Sequence, residues 1–402
     1  MDSTSTKTLQ SKSQAPARIL YVTTVPITLT SFLIPFAECF KARGARVDCA
    51  SAGASTYGGL SAFDSCYDIS WSRSLSSFLG YKSCEEQLFK ILDEVDYDIV
   101  HVHTPIAAYM TRKACARWKA HHNSSKPSVI YTAHGFHFYQ GQSSRLQHFL
   151  FRTLEKRALP WTDALVVMNN EDEQAARALR DTKAATHIER IDGIGFDFES
   201  YDSLRRAHAE RANITDSPEP TNQRTTQLCI IAEHNQNKDI SLLFHALALI
   251  ERQSASPYHL SVVGSGPLTD TLKDLAAALG IDKHLTFTGQ INRAELDNII
   301  KNTDIGVLVS KREGLPRSLM EFCAAGVTIA GTTTRGIVDE VRDPRALAED
   351  RTPESVAKML QELIENPKLR DAIAQAQYDY AKQHFDLPQI LSAYEKLYTH
   401  YL

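Results

Sequence analysis

The sequence predicts an α/β protein built from two Rossmann-like, doubly wound domains that face a central cleft. Short apolar runs, typical of buried parallel strands, alternate with segments of helical periodicity. This alternation breaks off near residue 209 and restarts near residue 228. The 402 residues, of which 43% are hydrophobic, are enough for two cores of ordinary size. Since doubly wound sheets bind ligands at the carboxyl ends of their strands, we expect the binding site there.

In the first half of the chain, strands and helices follow one another in turn. The run RILYVTTV from Arg18 predicts the first strand, and SFLIPFAECFKARGA, with its helical spacing and late Gly, predicts the first helix. The elements after these are the strand RVDCASAG, the helix SCEEQLFKILDEVDY, the strand DIVHVHT, the helix AAYMTRKACARWKAHH, the strand SVIYTAHG, the helix RLQHFLFRTLEKRALPW and the strand ALVVMN. This order is that of a parallel sheet with crossover helices.

The second half repeats the pattern after a polar interruption. Its strands are LCIIAE, HLSVVGSG, LTFTG, IGVLVS and VTIAG, and its helices are DISLLFHALALIER, LTDTLKDLAAALGI, RAELDNIIKN and RSLMEFCAAG. Pro, Thr and other polar residues replace periodic apolar ones around 209–227, which predicts a linker or a loop at the domain boundary. We therefore expect a disordered tail at 1–16, a first domain at 17–205, a linker at 206–227, a second domain at 228–383, and an amphipathic helix at 384–402 that crosses back to the first domain.

Charge is distributed unevenly along the chain. The net charge of −4 argues against a general polyanion binder. Between Ile99 and Leu154, however, there is no Asp or Glu, while Arg112, Lys113, Arg117, Lys119, Lys126, Arg145 and Arg152 all lie in this segment. Such a segment suits a phosphate-bearing ligand or a membrane surface, or it is a solvated basic face.

Three further features bear on the cellular compartment. The seven cysteines lack C-x-x-C spacing, which predicts reduced thiols rather than disulfides or a zinc site. No apolar run approaches the roughly 18 residues of a membrane span. The polar start MDSTSTKTLQSKSQAPA has no apolar stretch of the kind found in signal peptides. A cytoplasmic protein is expected.

Four histidines lie on two consecutive predicted strands and the turns after them. HVHTP contains His101 and His103, and YTAHGFHFYQG contains His134 and His137. They could be metal ligands, an acid/base pair or something else. Metal-bound imidazoles usually hydrogen-bond to carboxylates, and the surrounding segment contains no acid, so metal binding is disfavoured.

Two glutamates eight residues apart follow a strand of the second half. In SKREGLPRSLMEF, Glu313 lies just after the strand, and Glu321 lies about five residues into the helix that Pro316 can begin. A helix N-terminus offers free N–H groups to an anion, so this layout suits a ligand with sugar hydroxyls and phosphates. Spacing alone equally fits two ordinary surface charges.

Two weaker signals lie in the same half. Lys238, in AEHNQNKD, lies between a strand and a helix, where it can reach a diphosphate or can be a solvated charge. The turn VVGSGP at 262–267 has only G-x-G of the dinucleotide fingerprint, so a plain tight turn is the simpler interpretation.

Together these motifs resemble the retaining glycosyltransferases of family 4, which have the GT-B fold. The resemblance rests on E-x7-E in EGLPRSLME, on Lys238, on VVGSGP, and on DIVHVHTP with YTAHGFHFY. The histidine segments are more specific for the bacterial branch that builds exopolysaccharide and capsule. The resemblance runs from about Arg18 to the end, interrupted at 209–227. It implies a nucleotide-sugar donor, expected to be a UDP-sugar, bound mainly by the second domain, and a saccharide acceptor bound mainly by the first.

The resemblance also assigns roles to residues. His134 would lie beside the donor sugar, Glu313 would contact that sugar and Lys238 would neutralise the diphosphate, so these three are the expected catalytic residues. Glu321 would bind the ribose hydroxyls. Further donor contacts are expected from Gly314, Leu315, Pro316, Arg317, Gly264, Gly266 and Pro267. Acceptor-side contacts are expected from Thr23, Thr24, His137 and Tyr139.

The sequence departs from the family pattern at two places. Glu233 stands where many relatives have an Arg five residues before the Lys. The missing cation would have to come from Arg312, Arg317 or Arg335. The Gly-rich loop that usually follows the first strand is replaced by VTTVPITLTSF, so phosphate contacts there would come from threonines and backbone amides.

The resemblance implies transfer of a hexose or N-acetylhexosamine with retention. The family's usual route is front-face, with the leaving diphosphate taking the acceptor's proton, rather than a double displacement through a carboxylate. No cofactor and no metal ion are expected. The acceptor is expected to be a growing saccharide linked to a polyprenyl diphosphate, with the protein peripheral at the cytoplasmic face of the membrane and no nucleic-acid partner. The alternatives are a non-catalytic sugar-nucleotide or partner-binding protein and, third, a sugar-nucleotide epimerase.

Overall fold

The chain divides into two compact units. The computed structural model describes residues 16–71, 81–138, 144–179, 186–215, 224–253 and 256–402. The first unit comprises the chain up to Ile194 together with Ile390–Leu402, and the second comprises Gly195–Gln389. The second unit thus begins earlier than the boundary predicted at residue 205. Phe196 and Phe198 are the reason, since both are buried in its core.

The first unit contains a seven-stranded parallel sheet with the order β3-β2-β1-β4-β5-β6-β7. Its strands are β1 (Arg18–Val22), β2 (Arg46–Ser51), β3 (Cys66–Asp68), β4 (Ile99–His103), β5 (Ser128–Ala133), β6 (Ala164–Val167) and β7 (His187–Arg190). Its helices are α1 (Pro26–Thr28), a π-helical turn (Leu29–Leu33), α2 (Ile34–Ala42), α3 (Tyr81–Glu94), α4 (Pro105–His122), α5 (Arg145–Ala158) and α6 (Asn170–Leu179). The five strands predicted for this half are present, and the two edge strands β3 and β7 are additions to them.

The second unit contains a six-stranded parallel sheet with the order β10-β9-β8-β11-β12-β13. Its strands are β8 (Thr226–Ile231), β9 (Tyr258–Val263), β10 (Leu285–Gly289), β11 (Ile305–Leu308), β12 (Thr328–Thr332) and β13 (Leu347–Ala348). Its helices are α7 (Asp202–Thr215), α8 (Ile240–Gln253), α9 (Thr269–Leu279), α10 (Arg293–Lys301), α11 (Arg317–Ala324), α12 (Ile337–Val341), α13 (Pro353–Glu365) and α14 (Pro367–Phe385). The α/β architecture predicted from the sequence is confirmed in both units.

Regular structure extends into the predicted linker at 206–227 from both ends, and residues 216–223 lie outside the described part of the chain. Helix α7 continues to Thr215, and β8 begins at Thr226. Helix α7 has no clear apolar stripe, but it is rich in Ala and Arg, which have high helix propensity. Arg205, near its start, lies over the ring of Tyr378 at 3.8 Å from the ring centroid, which fixes α7 within the second unit.

A final helix, α15 (Leu387–Tyr401), completes the first unit. From Ile390 onward its residues belong to that unit. Tyr394 and Tyr398 are buried, with the Tyr394 ring edge-on to Phe36 and the Tyr398 ring stacked on Phe40. The chain's last helix is therefore part of the first unit's core.

Each sheet has a switch point where successive connections leave in opposite directions. In the first sheet it lies between β1 and β4, and in the second between β8 and β11. Open α/β sheets bind ligands in the crevice outside the carboxyl ends of such strand pairs. The loops after β1, β8 and β11 carry Thr23 and Thr24, Lys238, and Glu313 with the three residues that follow it.

Candidate functional site

In the second unit, the loops after β8 and β11 are cross-linked to each other. The Asn237 side-chain amide donates to the Arg312 carbonyl at 3.0 Å, and the Lys311 backbone N–H donates to the Asn237 carbonyl at 2.7 Å. Within the first loop, the Asn235 side-chain oxygen accepts from the backbone N–H groups of Asn237 and Lys238. These bonds fix the backbone on which Lys238 and Glu313 lie.

Lys238 and Glu313 form an ion pair at this switch point. Lys238 Nζ lies 2.6 Å from Glu313 Oε1, and both side chains are mostly shielded from solvent. An ammonium group has three N–H donors and a carboxylate has several lone pairs, so each partner keeps hydrogen-bonding capacity for a ligand. The structure therefore brings together the two residues that the sequence analysis placed at the diphosphate and the donor sugar.

Two further arginines support this pair. Arg335 is buried, and its Nε donates to the Glu313 carbonyl at 3.0 Å. Arg351 donates to the carbonyls of Val309 and Ser310 and places its guanidinium 2.6 Å from Asp239 Oδ2, beside Lys238 in the chain. Arg335 was among the cations expected to compensate for Glu233. Arg351 was missed, because nothing in its local sequence indicates that a loop 40 residues after β11 returns to this strand end.

The glycines of VVGSGP are explained by close packing. A methyl group at Gly266 would lie 2.6 Å from the His234 carbonyl oxygen, and one at Gly264 would overlap the Ala232 carbonyl. Gly264 also has a φ of +121°, which L-residues rarely adopt. The turn fits against the loop after β8, as expected of a plain tight turn, and Pro267 follows it. The assignment of these residues to the nucleotide stays a prediction.

Glu321 lies in the fifth position of α11, as expected, and is buried among arginines. Arg293 places a guanidinium nitrogen 3.2 Å from Glu321 Oε1, and Arg317 Nε lies 3.8 Å from the same oxygen. Helix α11 begins directly after Pro316. The loop from Gly314 to Leu315 packs so tightly on its neighbour that a methyl group at Gly336 would lie 2.5 Å from the Gly314 carbonyl oxygen. The loop between the two glutamates is thus fixed by Arg335, which donates to the Glu313 carbonyl, and by the close packing of Gly336 on Gly314.

Glu340 is a buried acid that the sequence analysis did not select. It lies in α12 with 2% of its surface exposed, and neither carboxylate oxygen has a hydrogen-bond partner among the described residues. Burial, and then the nearby charges of Glu313 and Asp339, raise the pKa of Glu340 well above its usual value. Its surroundings therefore favour the neutral form of the carboxyl group over the ionised form.

In the first unit, His103 and His134 are hydrogen-bonded. His103, the last residue of β4, places Nδ1 2.9 Å from His134 Nε2 at the end of β5. The Phe32 ring, from the π-helical turn, packs on His134 with 5.9 Å between ring centroids. His103 Nε2 is buried and has no partner among the described residues. His134, which keeps part of its surface exposed, is held from two directions.

His101 belongs to a separate buried network. Its Nδ1 hydrogen-bonds to the Tyr398 hydroxyl, and its Nε2 lies 2.7 Å from Thr132 Oγ1. The Tyr398 hydroxyl donates to the Tyr21 hydroxyl, and Thr132 also bonds the Tyr394 hydroxyl. His101 thus links β4 and β5 to α15.

All three of these histidines are kept neutral. Burial lowers the pKa of His134 to about 4, and burial followed by the charge of His134 lowers the pKa of His101 to about 3. For His103, burial and then its two imidazole neighbours lower the pKa well below the usual value. A neutral imidazole can act as one donor and one acceptor at physiological pH.

The hydroxyls of Thr23 and Thr24 form hydrogen bonds inside the protein, and the assignment of these residues to the acceptor side stays a prediction. Both residues are buried. The Thr23 hydroxyl donates to the Val25 carbonyl at 3.0 Å, and the Thr24 hydroxyl lies 2.7 Å from that of Thr104. Thr104 also accepts from the Thr24 backbone N–H, and it has a φ of +68°. The hydrogen bonds between Thr24 and Thr104 therefore connect the ends of β1 and β4, and the Thr23 hydroxyl is bonded within its own loop.

The remaining acceptor-side predictions fall on the segment after β5. The His137 ring packs against Phe151 with 5.1 Å between centroids, and Phe138 is buried against Phe136. The structure thus displays packing contacts for both residues, and the acceptor-side role of His137 stays a prediction. Tyr139 lies outside the described residues. Among the described residues, no group of three or more His, Cys, Asp or Glu side chains is arranged to hold a metal ion.

Both halves of the chain are similar to glycosyltransferases. Residues 18–169 match the family described as "Glycosyl transferase 4-like", and residues 213–380 match "Glycosyl transferases group 1". EpsD of Bacillus subtilis, named as a glycosyltransferase, is 28% identical over 395 residues, which cover 95% of this chain and 98% of EpsD.

Two other relatives are more distant. The UDP-Gal:alpha-D-GlcNAc-diphosphoundecaprenol alpha-1,3-galactosyltransferase of Escherichia coli is 23% identical over 264 residues, 65% of this chain and 62% of that enzyme. The crystal structure of Anabaena HepE in complex with UDP superposes with a TM-score of 0.71 at 16% identity, covering 95% of this chain and all of HepE. The HepE likeness extends over both units.

Proposed function

We propose that this chain, a glycosyltransferase of the GT-B fold, transfers a hexose or N-acetylhexosamine from a UDP-sugar, with retention, to a growing lipid-linked saccharide in exopolysaccharide or capsule synthesis. The observation that carries the proposal is the Lys238–Glu313 ion pair at the switch point of the second sheet. The similarity to EpsD along nearly the whole chain supports the exopolysaccharide setting. The UDP bound to HepE and the donor and acceptor named for the E. coli relative support a UDP-sugar and a polyprenyl-diphosphate acceptor.

In this proposal the chemistry rests on charge stabilisation. Lys238 donates to the diphosphate and stabilises the negative charge that develops as the bond to the sugar breaks. Glu313, with one oxygen bonded to Lys238, keeps the other for hydroxyls of the donor sugar. A carboxylate already paired with an ammonium is a poor nucleophile, which favours the front-face route over a covalent glycosyl-enzyme. No metal ion takes part in the proposed reaction.

His134 acts in this scheme as a neutral imidazole beside the donor sugar. Its low pKa means that it hydrogen-bonds to the sugar without adding a positive charge near the reacting carbon. Glu321, buried among Arg293 and Arg317, binds the ribose hydroxyls. Within the acid-free segment 99–154, the exposed Arg145 and Arg152 supply the basic surface for a phosphate-bearing acceptor at the membrane. The other cations of the segment that the structure pairs with acids are Arg112, Arg117, Lys119 and Lys126. None of the helices in the described part of the chain has the length and hydropathy to cross a membrane.

The test is a donor screen followed by product analysis. Purified protein is incubated with a panel of UDP-, GDP- and ADP-sugars and a polyprenyl-diphosphate saccharide, and nucleotide release is measured. We expect release with one or more UDP-sugars, and an α-linked product from an α-linked donor in the NMR spectrum. Turnover with GDP-sugars alone would contradict the donor, and a β-linked product would contradict retention. No turnover with any donor would overturn the proposal.

A further inference from the structure

Helix α5 exposes an apolar surface in its first two turns. Leu146 is 78% exposed, Phe149 69% and Leu150 42%. Residues three and four apart lie on one face of a helix, so the three side chains form one patch. Clustered exposed apolar side chains of this size are uncommon on soluble proteins and mark a contact surface. We call these three residues the α5 patch.

The opposite face of α5 is anchored, so the patch cannot turn inward. His137 and Phe138, from the segment after β5, pack on Phe151 and His148. Glu155 is buried and forms an ion pair with the fully buried Arg112, with 2.8 Å between Arg112 and the carboxylate. These contacts fix which side of the helix faces outward.

The exposed charged side chains of α5 are all positive. The one acid of α5 is the inward-facing Glu155, while Arg145, Arg152, Lys156 and Arg157 are exposed. None of these four cations forms a hydrogen bond or an ion pair with any described residue. On the neighbouring helix α6, Glu173 is already paired with Arg177 at 2.8 Å. The outer face of α5 therefore combines an apolar centre with unpaired cations at its margins.

We infer that α5 docks onto an anionic membrane surface, lying in the headgroup region with the α5 patch inserted among the acyl chains. Apolar side chains gain by leaving water, and flanking Lys and Arg attract lipid phosphates, which is the composition of helices that lie in the membrane interface. The unpaired cations select this occupant, because a protein partner or second copy would have to supply acids for them.

The position of α5 connects docking to the site. The helix follows β5, whose carboxyl end carries His134, so its first turn begins at the same edge of the sheet. Docking would bring lipid headgroups to that edge. The inference rests on the proposed function in one respect, namely that the acceptor is carried by a lipid. The docking itself can be measured without any turnover.

The experiment is flotation of the full chain with vesicles. Wild-type protein should float with vesicles of about 40% phosphatidylglycerol in phosphatidylcholine, but not with pure phosphatidylcholine, and added salt should weaken binding. The variant Leu146→Ser/Phe149→Ser should bind ~10-fold or more weakly, because two apolar side chains are lost from the bilayer. Arg145→Ala/Arg152→Ala should also bind more weakly, by roughly 10-fold at low salt.

Matched controls keep the result interpretable. Tyr57→Ser removes another exposed apolar side chain of the same unit, 40% exposed, and Lys358→Ala removes an exposed cation of the second unit. Both should float like the wild type. Equal flotation of the Leu146→Ser/Phe149→Ser variant and the wild type would overturn the inference. A second result would also overturn the inference: the wild type is a dimer in light scattering and the Leu146→Ser/Phe149→Ser variant is a monomer. A second copy of the chain would then cover the patch. A chain that floats but transfers no sugar would retain the docking surface and refute the proposed function.

Discussion

His103 Nδ1 and His134 Nε2 share a hydrogen bond of 2.9 Å between the ends of two adjacent strands. Only one of the two nitrogens can carry the proton, so the tautomer of each ring determines that of the other. If His103 donates, His134 Nδ1 carries a proton and is a donor. If His134 donates, its Nδ1 is an acceptor, so His103 determines which of the two His134 offers to a ligand. His103 is therefore a positioning residue for the imidazole that we place at the donor sugar.

Replacing His103 tests this relationship. His103→Ala should lower kcat by roughly 10-fold with little change in KM for the donor, because His134 loses its orientation and fixed tautomer. His103→Asn, which keeps a hydrogen-bonding group, should recover part of the loss. His121→Ala, at an exposed histidine of α4, is the control. Equal kinetics in the His103→Ala and His121→Ala variants would refute the role.

His134 itself should be indispensable, whereas chelators should have no effect. His134→Ala is expected to reduce transfer by at least ~10²-fold, measured as saccharide product per unit time. Prolonged incubation with EDTA should leave wild-type transfer unchanged. The reverse result, activity that survives in the variant and is lost with EDTA, would restore a metal role for the histidine cluster.

Lys238 should be required for turnover and not for folding. Lys238→Ala should lower kcat by roughly 10²–10³-fold, since it removes the cation that stabilises the leaving diphosphate. Lys311→Ala is the matched control, because Lys311 lies in the partner loop, is half exposed and is 3.7 Å from Asp239. The thermal melting of both variants reports on folding. A Lys238→Ala enzyme as fast as the control would exclude this lysine from the reaction.

The buried histidines should make the first unit sensitive to acid. Their folded pKa values lie below the ordinary value of 6.5, at about 3 for His101 and about 4 for His134. Between pH 6.5 and the folded pKa of each histidine, the unfolded chain binds more protons than the folded chain. The free energy of unfolding therefore falls as the pH is lowered from about 6.5. Each such histidine contributes a slope of about 1.4 kcal/mol per pH unit.

Urea unfolding at several pH values between 4 and 7 measures this slope. His101→Gln should be less stable at neutral pH, because it disrupts the Tyr398 and Thr132 hydrogen bonds. Its unfolding free energy should nevertheless vary less steeply with pH than that of the wild type. Identical slopes in the two proteins would show that His101 is not held neutral.

Glu340 should act in the opposite direction. Its folded pKa is raised, so its contribution to stability is fully present below the ordinary pKa of 4.5 and is lost as pH rises through the folded value. Glu340→Gln should therefore stabilise the protein relative to the wild type by an amount that increases from pH 5 to pH 8. The midpoint of urea unfolding measures it, and Glu349→Gln, at an exposed acid, serves as the control. A stability difference that does not depend on pH would contradict a raised pKa of Glu340.

Local patterns predicted most of the longer strands and helices of this fold but missed the edge strands β3, β7 and β13, and contacts between distant segments were less visible. Glu313 and Glu321 were placed correctly on a strand end and on the fifth residue of a helix, because the signals are local. Arg351 lies in a loop and Glu340 in a helix, and the local sequence of neither segment indicates that it lies near Glu313 and Lys238 in the fold. Helix α7 was missed because apolar periodicity, rather than Ala and Arg content, was used to judge it.

Helix α15 has a consequence for how the protein is made. The ribosome synthesises residues 195–389 between the body of the first unit and the helix that fills its core. Until Tyr394 and Tyr398 emerge, Phe36 and Phe40 lack the rings that cover them, and His101 and Thr132 lack their hydroxyl partners. The second unit, whose residues are contiguous, can fold during translation. The first unit reaches its native state only after the last helix has been synthesised. We therefore expect a chaperone to bind the first unit rather than the second during synthesis.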